Sequence, residues 1–253
     1  MSMNQKCKHR PITVFMLLIG ALVAAPLHAQ STTTRLLVTT VQIKPDRIDR
    51  WLELQANEVV PALKKVGVTE RSVYQTLLGD ATKYVSVRPL PGFAQFDAPN
   101  LLAQALGTDE ANALIARLRE CMQTVHRQVV NRQDEFYLNP GDATALFASR
   151  YRANPGRSRD YMNFIRAEMF PVMQQAQENG TFSGLSVTVS AQGGEAGLIT
   201  LNMFYPAFEP LDGPPPVAKT LGPEGTREFL VKGAGLITPL EQLILKRVAA
   251  LSF

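Results

Sequence analysis

Residues 35–43 alternate in a run rich in Leu, Val and Thr, which predicts a half-buried strand. Lys44-Pro45-Asp46 breaks that run and supplies a helix N-cap. Over residues 46–66, Ile48, Trp51, Leu52, Val59, Leu63 and Val66 fall on a helical stripe; Pro61 is expected to kink the helix or end its first segment near Val60. Gly67 stops it. Residues 72–78 and 83–88 read as a hairpin around Gly79-Asp80, and 89–99 as a loop. A second helix is predicted over 109–131, with Leu114, Leu118, Cys121, Met122, Val125 and Val129 on its stripe. A short strand over 134–138 closes the series, so the order is βαββαβ.

The pattern then repeats. Residues 149–173, SRYRANPGRSRDYMNFIRAEMFPVM, restate residues 39–63, TTVQIKPDRIDRWLELQANEVVPAL, at an offset of 110: Pro45 matches Pro155, Trp51 Tyr161, Glu58 Glu168 and Pro61 Pro171. The second copy offers a strand over 144–152, a helix over 159–177, hairpin strands over 185–190 and 198–205, and a closing helix over about 223–246. Past the first helix the offset becomes 115, which carries Phe93 to Phe208 and Leu106-Gly107 to Leu221-Gly222. A repeat this long means two copies of one folding unit rather than a solenoid. Each βαββαβ unit is a ferredoxin-like α+β fold, with helices on one sheet face and nothing on the other. The simplest burial packs the two units sheet to sheet as a pseudo-dimeric α/β barrel.

On these residues the chain resembles the dimeric α/β-barrel superfamily, which includes the NIPSNAP-like and antibiotic-biosynthesis-monooxygenase-like proteins; the repeated strand-Pro-helix-Pro segment is most similar to the NIPSNAP-like group. Barrels of that superfamily usually need two chains, whereas here one chain supplies both halves. Its members range from cofactor-free oxygenases and haem enzymes to proteins without known chemistry, so the resemblance implies fold and leaves activity open.

Lys6, Lys8 and Arg10 precede an apolar run over 12–25, and Leu27-His28-Ala29 offers a cleavage site before Gln30. Residues 1–29 therefore read as a secretory signal peptide, residues 30–139 as the first unit and 140–253 as the second, in an exported protein of the periplasm or the extracellular space that leaves the membrane on cleavage. Cleavage leaves 23 basic against 22 acidic side chains, a balance that argues against a nucleic-acid binder. It also leaves one cysteine, Cys121, and one histidine, His126, so no internal disulfide can form and a site with several His ligands is excluded by counting. No cofactor or metal is expected, and there is no P-loop, nucleophile elbow or dinucleotide loop.

The candidate chemistry is sparse. Alternation turns Leu37, Thr39, Val41 and Ile43 toward the helices, and Leu36, Val38, Thr40 and Gln42 the other way. In the second copy that other face carries Leu146, Ala148, Arg150 and Arg152, so two arginines are expected in the lumen, partnered by a carboxylate such as Glu135 or by an anionic ligand. Arg150, Arg152, Gln42 and Glu135 are the candidate ligand-binding residues. His126, read on a helix edge about 100° from the apolar stripe, is the candidate single-site base. Glu58 and Glu168 recur in both copies and read as structural, as does a core thiol at Cys121.

Three functions compete: an exported protein binding a small anionic or aromatic molecule; a cofactor-independent monooxygenase- or isomerase-like enzyme; and a structural module without a ligand. Any homo-oligomer would form through the outer helices. A cavity above about 300 Å³ with convergent polar groups separates the first two from the third.

Overall fold

The computed structural model describes residues 32–253, so the expected targeting segment lies outside the described residues. The first repeat runs β1 (Thr33–Ile43), α1 (Ile48–Leu54), a π-helical turn (Gln55–Val59), α2 (Val60–Lys65), β2 (Ser72–Thr76), β3 (Lys83–Pro89), α3 (Leu101–Leu106), α4 (Thr108–Cys121) and β4 (Met122–Gln133). The second runs β5 (Ala145–Ala153), α5 (Ser158–Phe164), a π-helical turn (Ile165–Met169), α6 (Phe170–Glu178), β6 (Gly184–Gln192), β7 (Leu198–Tyr205), α7 (Pro216–Gly233) and β8 (Ile237–Arg247).

The strands form one closed antiparallel barrel in the order β1-β3-β2-β8-β5-β7-β6-β4. Each repeat contributes four consecutive strands, and two seams join them: β2 to β8 through Tyr74–Thr76, and β4 to β6 through Val129–Arg132. Closure removes the sheet edges that either half would otherwise present. Among the described residues no helix is long and apolar enough to cross a membrane.

The order βαββαβ holds, but its last two elements lie elsewhere than their periodicity suggests. Residues 122–133 are strand β4 rather than the second half of a helix, and 237–247 are strand β8 rather than helix. The expected terminal strand over 134–138 shrinks to a 3-10 turn and one bridge, Leu138 to Leu185; in the second repeat Phe253 exchanges backbone bonds with Arg71 in the same way. Met122, Val125 and Val129 fit a helical stripe by spacing. The ladder with β1 decides otherwise, because Val41 lies opposite Val125 and Leu37 opposite Val129 on the helix-facing side.

Between sheet and helices lie two apolar cores, one per repeat. The Trp51 ring lies 4.7 Å from that of Tyr84, tilted by 44°, beside Leu54 and Leu114, and Tyr161, Ile165 and Met173 occupy the matching core in the second repeat. Each fully buried side chain of this kind contributes about 1.5–3 kcal/mol. The helix prolines sit just after the π-turns, where Val60 N–H donates to Gln55 and Phe170 N–H to Ile165. Pro61 and Pro171 have no N–H to give, and the extra residue in each turn absorbs the bond the proline removes.

The recurring glutamates also have one task. Glu58 receives two bonds from Arg117 of α4, and Glu168 receives one from Lys232 of α7, 115 positions further on. They tie the two helices of each repeat.

Candidate functional site: the barrel lumen

The barrel interior holds a cavity of about 590 Å³. Its walls follow from the alternation of each strand and can be read in three layers. The lowest of the three holds Leu36, Val130, Leu146, Phe204 and Leu245, with Tyr74 6.4 Å from the Phe204 ring. Above them, Val87, Val38 and Gln128 of the first repeat face Asn202, Ala148 and Leu243 of the second. The upper layer sets Val85, Thr40 and His126 against Thr200, Arg150 and Glu241. An apolar middle thus lies between a polar mouth and a second polar end at Glu70, Arg132 and Tyr137. The third strands, whose apolar residues run out of phase between copies, are resolved by this register: Val85 and Val87 point inward, as do Thr200 and Asn202, while Ile199, Leu201 and Met203 pack on the helices.

The mouth is organised by equivalent pairs. Gln42 donates to Asp80 at 2.8 Å, latching β1 to its hairpin, and Arg152 donates to Glu195 at the equivalent place in the second repeat. Arg150 donates to Glu241 at 2.7 Å across β5 and β8. The equivalent of that last pair is Thr40 with His126, opposite each other on β1 and β4; among the described residues neither side chain has a hydrogen-bond partner. Three positions are closed and one is open.

The candidate residues distribute accordingly. Arg150 lines the cavity, but with its charge met by Glu241; Gln42 and Arg152 lie at the rim in their latches rather than among the lining residues. Glu135 is not in the lumen. It lies in the 3-10 turn after β4 and pairs with Arg166 of the π-turn at 2.8 Å, because the chain has left the barrel wall by residue 134. His126 lies on a strand rather than a helix edge, and its side chain faces the cavity. Cys121 ends α4, buried in the first core with its thiol directed at the Arg117 carbonyl, as a core thiol. Missed by sequence reading were Thr40's lack of a partner and the contributions of Gln128, Thr188 and Asn202, since their inward direction depends on strand assignments that periodicity did not reveal.

Burial, opposed by a hydrogen bond to Ser72, raises the Tyr74 hydroxyl's pKa, so it stays protonated in the lumen. The Asp80 carboxyl is held below its usual range chiefly by the Thr82 hydroxyl, which keeps the Gln42 latch anionic. Among the described residues no group of three or more His, Cys, Asp or Glu could hold a metal ion.

No protein-family model matches this sequence, and no curated protein matches it. Solved structures do match. A candidate monooxygenase from Lactobacillus acidophilus NCFM aligns at 9% identity over 85% of this chain and 94% of its own, with a TM-score of 0.57. An anthrone oxidase-like protein aligns at 9% identity over 87% of this chain and 92% of its own, with a TM-score of 0.55. A NIPSNAP family protein from Agrobacterium tumefaciens aligns at 12% identity over 38% of this chain and 90% of its own, with a TM-score of 0.31. The fold is that of the dimeric α/β barrels, completed here within a single chain.

Proposed function

We propose that this protein binds a small, mainly apolar molecule of aromatic-ring size inside the barrel, with the ligand's polar end at Thr40 and His126. The observation that carries the reading is the cavity itself: about 590 Å³ within the range of small-molecule sites, with a middle walled by aliphatic and aromatic side chains and ends bounded by hydroxyl, amide, imidazole and charged groups. A lumen that merely joined two sheets would be filled to crystal-like density. An anionic ligand at Arg150 and Arg152 is disfavoured, since Glu241 and Glu195 already neutralise both guanidinium groups. The basic segment and apolar run before Gln30 support export as part of the same proposal. Leu230 and Val231, exposed on α7, are where an oligomer through the outer helices would form.

The test is a fluorescence titration with 2-naphthol. Wild-type protein is expected to bind one equivalent, and Ala148→Phe, which pushes a ring into the lumen, to abolish binding while still melting cooperatively. Unchanged binding in Ala148→Phe contradicts the proposal.

A second reading has its own observation. The lone imidazole of the described chain stands unpartnered at the mouth, able to accept a proton from an acidic hydroxyl or C–H group of a bound ring. The oxidase- and monooxygenase-like neighbours make anthrone under air the substrate to try, and loss of turnover in His126→Gln with binding retained would support an enzyme.

A further inference from the structure

Outside the barrel, the first repeat gathers four arginines with no acid among the described residues paired to any of them. Register places them. Leu37, on the helix-facing side of β1, lies opposite Arg88 on β3; Arg35 precedes Leu37 by two residues on the same side, and Arg127 of β4 lies opposite Thr39. Arg71, just before β2, donates from Nε to Ser86 Oγ at 3.0 Å, and Ser86 stands two residues before Arg88. The guanidinium of Arg88 is fixed by bonds to Gln95 Oε1 at 3.0 Å and to the Pro89 carbonyl at 3.1 Å. Arg35 lies over the exposed Phe93 ring. Arg71 is 6% exposed, and its Nη1 is buried without a partner.

The twin repeat shows that the fold does not require this. At the equivalent positions it carries Ala145, Leu185, Met203 and Gln242, all neutral. Like charges crowded into a partly desolvated place are costly unless something neutralises them. Burial and then neighbouring cations push both Arg71 and Arg88 down, Arg71 to about 10, which agrees with an uncompensated cluster. Planar guanidinium groups present paired N–H donors that match oxyanions.

We propose that Arg35, Arg88 and Arg127 form an anion-binding site on the outer face of the first repeat, backed by the buried charge of Arg71. It takes a compact oxyanion bearing phosphate or carboxylate groups. The donors stand on the helix-facing side of the sheet, and of the three arginines only Arg88 also borders the lumen cavity.

Calorimetry and thermal melting with inorganic phosphate or citrate, against sodium chloride at matched ionic strength, test it. Either anion is expected to bind saturably and raise the wild-type thermal midpoint above the chloride control, and the stronger of the two identifies the oxyanion class. Arg127→Met, an exposed position that leaves the fold intact, is expected to weaken binding about tenfold, the value of one lost charged hydrogen bond. Arg88→Met with Arg127→Met should abolish it, while Arg166→Met, an arginine already paired with Glu135, should leave it unchanged. Equal shifts from phosphate, citrate and chloride, or undiminished binding in Arg127→Met, would overturn the site.

Discussion

Replacing Gln55, Arg71 and Ser86 together by Leu, Met and Ala should make the protein more stable in phosphate-free buffer. In the native chain the three form a polar cluster between the first π-turn and the sheet: Arg71 Nη2 donates to Gln55 at 2.8 Å and Nε to Ser86 at 3.0 Å. The second repeat fills the same place with Ile165, Leu185 and Leu201, all buried. Burial lowers the Arg71 pKa to about 10, a depression equivalent to about 3 kcal/mol against keeping the cation in the fold. The triple substitution approximately conserves volume and removes both that penalty and the groups that partly offset it, so a net gain of about 1–3 kcal/mol is expected. Gln55→Leu alone leaves the buried cation with one acceptor fewer and should cost about 1.5–3 kcal/mol. The sign with pH follows. A cation whose folded pKa is depressed carries its full penalty below that value, so the advantage of the triple variant is largest at neutral pH and shrinks as pH rises past 10. Urea midpoints at unchanged m value measure all three proteins. A triple variant less stable than wild type, or a Gln55→Leu variant without loss, refutes the reasoning.

Gly184→Ala should destabilise by about 1–3 kcal/mol, because a Cβ there would collide with the Leu138 carbonyl and come within 2.7 Å of the Pro140 backbone, neither of which can swing aside; thermal melting reads this. Leu114→Ala, at a fully buried position of the first core, should lower unfolding free energy by about 2–5 kcal/mol in a urea titration. Glu58→Gln and Glu168→Gln should scarcely move the thermal midpoint or 2-naphthol affinity, since both ion pairs are partly exposed to solvent and lie outside the lumen. Intact mass of protein recovered from an exporting host should correspond to a chain beginning at Gln30; a retained N-terminus would remove the expectation of cleavage.

Where one face of an element is buried and the other wet, the amino-acid pattern reported it. The first strands showed their two faces, Gly79-Asp80 showed its hairpin, and the prolines at 61 and 171 marked, in both copies, an irregularity in the helix that the structure resolves as a π-turn. The fourth strand of each repeat stayed hidden for two reasons. Cys121 passes into Met122 without a Gly or Pro to mark the change from helix to strand. The first half of β4 is also exposed, so Gln123, Thr124, His126 and Arg127 lack the apolar alternation of a half-buried strand. That misreading sent His126 to a helix edge and Glu135 to the lumen. The inner face of β5 was legible from alternation alone, but not that Glu241 would meet Arg150, because pairing across β5 and β8 depends on the strand that periodicity concealed.

The most direct test of the account is a crystal structure of the protein with 2-naphthol. Ring density should lie inside the barrel among Val38, Val87, Ala148 and Leu243, with the hydroxyl within hydrogen-bond reach of Thr40 or His126. A ring lodged between sheet and helices, or a lumen left empty at saturating probe, would contradict it.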